Sequence, residues 1–199
     1  MKRKSFIKLL VICLVVLLSS GIYLTARLDK QTGLYTPSNK EYYLSPEEAS
    51  FIRPGLEVEI LSVEIPADMK PVMQLSITDP GGLPLDIDGV YTPGPISISG
   101  LMAYIPEPGA AYISYITLVQ TMPITGDSAV QATSNSGTIE EVGDGLYQFT
   151  YSTAIPEDYD VDATHSFAVY ARRDLREYGL DRYVVNSFFD MVPSGSADP

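Results

Sequence analysis

The chain has 199 residues, with 13 Lys and Arg against 25 Asp and Glu, one His, one Cys and no Trp. A content of 45% hydrophobic and 19% charged residues supplies enough apolar side chain for one core, which excludes a globally disordered chain. The single Cys excludes an internal disulfide and any Cys-pair zinc or haem site, the single His excludes a His cluster for a metal, and 15 Gly with 15 Pro argue against long helices.

Residues 1–26 differ in class from the rest. Met1-Lys2-Arg3-Lys4 is a basic start, and the nearly unbroken apolar run from Leu9 to Leu24 follows. As a helix that run spans ~24 Å, short of the ~30 Å hydrocarbon layer. It therefore reads as a cleavable secretion signal, cut after Gly21 or Ala26, with an uncleaved N-terminal anchor as the alternative. Cys13 reads as one more apolar residue of this segment, because Ile12 stands where a lipid-attachment motif needs a small residue. From residue 31 onward there remain 7 cations and 24 anions, a net charge of −17. Such a surface repels phosphate backbones and anionic headgroups. No nucleic-acid partner is expected, and membrane contact is expected only through an uncleaved N-terminal segment.

Residues 27–49 read as a linker with a short helix. Ser45 can cap it, Pro46 fits its first position and Glu48 can complete a capping box, while Arg53-Pro54-Gly55 must end it near Phe51. From residue 50 to 193 the period is two. Leu56, Val58 and Ile60 alternate with Glu57 and Glu59, and the strand continues through Val63-Glu64-Ile65. A second strand runs from Val72 to Thr78 and ends in the turn Asp79-Pro80-Gly81-Gly82. After a Pro/Gly/Asp-rich connection over 83–94 come β-rich runs over 95–104 and 111–122, and a shorter one over 129–133. Asp144-Gly145 leads into alternating Tyr147, Phe149 and Tyr151; the pattern resembles the tyrosine corner of immunoglobulin-like sandwiches. Strands over 166–171, with Phe167, Val169 and Ala171 on one side, and over 183–192 complete the set. The fold class is thus all-β, an immunoglobulin-like antiparallel sandwich preceded by a signal or anchor helix and a short helix, with 194–199 as a linker-like tail.

No catalytic residue stands out. His165 has Asp162 and Ser166 nearby, but sequence neighbours seldom form a triad, and the residue reads as a locally bonded strand start. Asp158, Asp160 and Asp162 have the opening spacing of a calcium loop, yet Ala163 and Val169 replace its Gly and Glu. The pattern excludes an EF-hand and leaves a weak calcium candidate. Arg172, Arg173 and Arg176 form the one basic cluster after residue 70, expected to pair with Asp174, Glu177 and Asp181. Fourteen Tyr could stack on sugars if they line one sheet face.

Several stretches together resemble the haem-free N-terminal domain of the decahaem OmcA/MtrC-type outer-membrane c-type cytochromes. They are residues 51–56, 78–86, 89–97, 120–126 and 142–147, Ala163-Thr164-His165 with Val169-Tyr170, and 192–195. The likeness covers about residues 40–196. It implies an exported, non-catalytic β-sandwich at the periplasm or cell surface, with a docking or structural role in extracellular electron transfer. It also implies a protein partner such as multihaem cytochrome segments. With no Cys after residue 13, this polypeptide cannot itself hold a c-type haem covalently, so no cofactor is expected in it. The alternative is a carbohydrate-binding or adhesion domain of the cell envelope.

Overall fold

The computed structural model describes residues 33–199, so the leader read over 1–26 lies outside the described residues. Two compact units divide at Ser50 and Phe51. In the first, Asn39 Oδ1 accepts from the amide and hydroxyl of Thr36, both at 2.9 Å, closing a turn before a 3-10 segment at Lys40–Tyr43. Tyr42 and Tyr43 meet edge to face at 5.4 Å. The capping box forms as read: Ser45 N donates to Glu48 Oε2 (2.8 Å) and Glu48 N to Ser45 Oγ (3.2 Å), opening helix α1 (Pro46–Ile52). These bonds favour the charged carboxylate and lower the Glu48 pKa. The helix stops at Arg53, whose φ of +47° reverses the chain ahead of Pro54.

Phe51–Pro199 forms a sandwich of antiparallel sheets. One sheet holds β1 (Glu57–Glu64), β2 (Val72–Thr78), β7 (Gly137–Gly143) and β8 (Leu146–Tyr151) in the order β1-β2-β8-β7. The other holds β3 (Ile96–Ile105), β4 (Ile113–Ser114), β9 (Thr164–Asp174) and β10 (Arg182–Met191) in the order β10-β9-β3-β4. A separate hairpin joins β5 (Thr117–Thr121) to β6 (Ser128–Ala132).

The inward faces follow from the alternation. Met73, Leu75 and Ile77 on β2 lie beside Tyr147 and Phe149 on β8, and all are buried. In β1 the inward set changes from even to odd numbers, from Val58 and Ile60 to Val63. A bulge between Ile60 and Ser62 makes that possible by leaving Leu61 outside. Tyr151 joins the sheets: its hydroxyl donates to Leu101 O on β3 at 2.8 Å and also approaches Ala168 O on β9 at 3.4 Å. Gly100 lets that ring approach, since a Cβ there would stand 2.5 Å from it.

The run over 111–122 is not one strand. It breaks into β4 and β5, and β5 pairs with β6. β7 was not expected. Its exposed Glu140, Glu141 and Val142 hide the alternation, which survives only in the half-buried Gly137 and Ile139. Asp144-Gly145 makes the tight β7–β8 turn, with Gly145 at φ +68°. Tyr147 differs from a tyrosine corner. Its hydroxyl donates to Leu85 O (2.9 Å) and accepts from Ile87 N (3.2 Å), so it clamps the distant 83–94 connection instead of nearby backbone. The tail is also less free than a linker, for Ser194 N donates to Val161 O at 2.9 Å.

Candidate functional site

The polar residues of greatest chemical interest lie on β9. Its odd-numbered residues point inward, and the alternation read over 167–171 continues to both ends, bringing in His165 and Arg173. Both are 0% exposed.

Arg173 uses its fork on main-chain oxygens. Nε donates to Pro93 O at 3.0 Å, Nη1 to Arg53 O at 2.6 Å and Gly55 O at 3.0 Å, and Nη2 to Ile52 O at 2.7 Å and to Pro93 O. A planar guanidinium can satisfy this many converging acceptors at once; an ammonium cannot. The expected cluster therefore splits. Arg176 and Arg182 stay outside and share Asp174, at 2.6 and 3.1 Å, which holds its carboxyl well below the usual range. Arg173 goes inward and ties the start of the sandwich to the 83–94 connection.

His165 is packed among three tyrosines. Its ring stacks on Tyr115 at 5.8 Å and on Tyr104 at 6.2 Å, and Tyr159 meets it edge-on at 5.3 Å. Nε2 lies 2.8 Å from Asp160 O, and a carbonyl only accepts, so the hydrogen is on Nε2. In the neutral ring, Nδ1 then accepts from Tyr115 Oη at 3.1 Å. Burial raises the Tyr115 pKa strongly and keeps the phenol protonated as that donor. The local bond expected from sequence is present, and Tyr115 adds a distant one. A ring with no exposed surface and both nitrogens engaged meets no solute.

The acidic loop does not gather its carboxylates into a site. Asp160 Oδ1 accepts from Asp162 N at 3.0 Å, and Asp162 Oδ1 accepts from Ser196 Oγ at 3.1 Å. Among the described residues no group of three His, Cys, Asp or Glu is placed to hold a metal. Of the candidate Asp158, Asp160 and Asp162, the last two are thus hydrogen-bonded within the loop, and Asp162 also bonds the tail.

Two surface features remain. A depression of about 300 Å³ is lined by Arg53, Asp86, Tyr91, Glu141 and Asp144 among others. Asp86 is committed to its own loop, accepting from the amides of Asp88 (3.0 Å), Tyr91 (2.7 Å) and Val90. The larger feature is a groove of about 540 Å³ on the outer face of the β3–β9 sheet. Leu101, Ala103 and Ala168 form its floor, with Tyr112 and the β6 residues Val130 and Gln131 also along it. Ala103 stands opposite Ser166 and Ala168 opposite Leu101, so small side chains make the hollow. The β5–β6 hairpin is exposed throughout, with Val119 at 61%, Val130 at 68% and Ile124 at its turn at 95%. The sequence signal for this hairpin is an almost charge-free run from 108 to 139. The exposed tyrosines of the sandwich unit (Tyr91, Tyr112, Tyr170 and Tyr178) fall on separate elements and do not form one row along a strand.

No protein-family model and no curated protein matches the chain. Solved structures do. The crystal structure of the outer-membrane decaheme cytochrome OmcA aligns with TM-score 0.52 and 18% identity, over 72% of this chain and 24% of that one. The chain has the fold of a segment of a decahaem cytochrome. The crystal structure of MtrC from Shewanella baltica OS185 aligns with TM-score 0.46 and 14% identity, over 73% of this chain and 23% of that one. The chain thus spans about a quarter of the length of each structure it matches. At these identities the likeness is one of fold, and it agrees with the family to which the turn and strand motifs pointed.

Proposed function

We propose that this chain is an exported, non-catalytic β-sandwich module with a docking or structural role in extracellular electron transfer, acting at the periplasm or cell surface. The observation that carries the reading is the fold shared with OmcA, an outer-membrane decahaem cytochrome. The interior supports it. His165 and Arg173, the polar groups buried most deeply, are engaged in packing and main-chain hydrogen bonds, which leaves function to the surface. That surface is strongly acidic and selects a basic partner by long-range attraction. Segments of a multihaem cytochrome are the partner this reading names.

The test is capture of the tagged full chain from the envelope of the cells that make it, followed by a denaturing gel stained for covalent haem. The expected result is a haem-stained band that the tag alone does not capture. Capture of the chain with no haem-stained protein would overturn the proposal.

A further inference from the structure

We infer that the free edge of β6 is a self-association surface, where the strand pairs antiparallel with β6 of a second copy and Val130 meets its own counterpart on a two-fold axis. Charge makes the first argument. Between Pro108 and Ile139 the only Asp, Glu, Lys or Arg is Asp127, in a chain whose net charge from residue 31 onward is −17. A two-fold contact sets a patch against itself, so acidic groups in it would face acidic groups. An acidic patch therefore suits a basic partner, and a charge-free patch on an acidic domain suits a second copy. This inference does not rest on the cytochrome reading.

Strand geometry makes the second argument. β5 and β6 form a sheet of two strands, each five residues long and exposed throughout. A two-stranded ribbon is marginal alone, and natural edge strands are usually blocked by Lys, Pro or a bulge. Ser128–Ala132 contains none of these, and its pairing with β5 runs without a register shift. The consecutive residues Val130, Gln131 and Ala132 all line the 540 Å³ groove, so the β6 edge opens onto it. An added strand lies ~4.8 Å from β6. There it is flanked by Leu101, Ala103 and Ala168 on the groove floor. With Val130 on the axis, Ala129 stands opposite the second copy's Gln131, and Ser128 opposite its Ala132. Asp127 falls outside the paired segment.

The salt dependence has a distinctive sign. Two acidic copies repel at long range, so screening strengthens their association, whereas docking to a basic partner weakens with salt.

The test is disulfide trapping in the full chain carrying Cys13→Ser, so that an introduced thiol is the only one. Val130→Cys is expected to give a covalent dimer as the main band on a non-reducing gel, while Val119→Cys, on the other strand, stays monomeric. In sedimentation, the wild-type chain is expected to dimerise, with a dissociation constant that falls roughly threefold or more as salt rises tenfold. Val130→Lys, an exposed substitution measured under the same conditions, is expected to shift it to monomer. The inference is overturned if Val130→Cys gives no dimer, if Val119→Cys cross-links equally well, or if the wild type and Val130→Lys sediment alike.

Discussion

His165 and Arg173 close the two ends of one inward-facing row on β9, with Phe167, Val169 and Ala171 between them, and neither has any exposed surface. Each end of the strand is held by a polar side chain bonded to main-chain oxygen: Asp160 O at one end, and the oxygens of Ile52, Arg53, Gly55 and Pro93 at the other. The arrangement fixes the loops at both ends of the sandwich. It explains how a buried His and a buried Arg serve the architecture.

Arg173 is the more sensitive of the two. Replacing it with Lys leaves several buried carbonyls without donors, each worth ~1–3 kcal/mol when unsatisfied. Arg173→Lys is therefore expected to destabilise the sandwich by about 2–4 kcal/mol in chemical denaturation. Arg172→Lys, on the exposed side of the same strand, is expected to change stability by less than about 0.5 kcal/mol.

Tyr151 ties the two sheets together and is predicted to govern the alkaline limit. Burial raises its pKa above the ordinary value of 10.0. The folded state thus keeps a proton that the unfolded chain loses. The resulting stability is fully present below pH 10 and is lost as pH rises through the folded pKa. Tyr151→Phe removes the bonds to Leu101 O and Ala168 O, and should cost about 1–2 kcal/mol at neutral pH. It should also make the loss of stability above pH 10 less steep than in the wild type, as read by denaturation at stepped pH.

Asp174 gives the opposite sign. Its hydrogen bonds from Arg176 and Arg182 lower the carboxyl pKa below the ordinary value of 3.8. Whatever stability this triad contributes is fully present above that value and lost as the pH falls toward the depressed one. Asp174→Asn should therefore differ from the wild type most at neutral pH, and the two denaturation curves should converge in strong acid.

The 158–162 loop is predicted not to take up calcium. Asp160 and Asp162 already accept from Asp162 N and Ser196 Oγ, and binding would have to break that arrangement. A calorimetric titration with millimolar calcium should show no saturable heat; a saturable signal lost in Asp160→Asn would reverse this conclusion.

Most of the sandwich was legible because its inward residues are large and alternate with polar ones, as in β1, β2, β8 and the middle of β9. The rest was hidden for identifiable reasons. β7 turns only Gly137 and Ile139 toward the core, a row with one large apolar residue. β5 and β6 are exposed on both faces, so no burial pattern marks where β4 ends. Arg173 keeps the period of its strand but breaks its polarity, and a basic pair reads more naturally as surface. The Tyr147 clamp joins residues some sixty positions apart. The short β6 run was visible, but the groove beside it depends on β3, β9 and the hairpin meeting, which no local window contains.

The central claim is that this domain works by contact with a multihaem partner. Its most direct test is calorimetric titration of the full chain with the purified multihaem c-type cytochrome of the same envelope, at low and high salt. The account predicts saturable binding that weakens as salt rises, because the acidic surface supplies the long-range attraction. No binding at either salt concentration would contradict it.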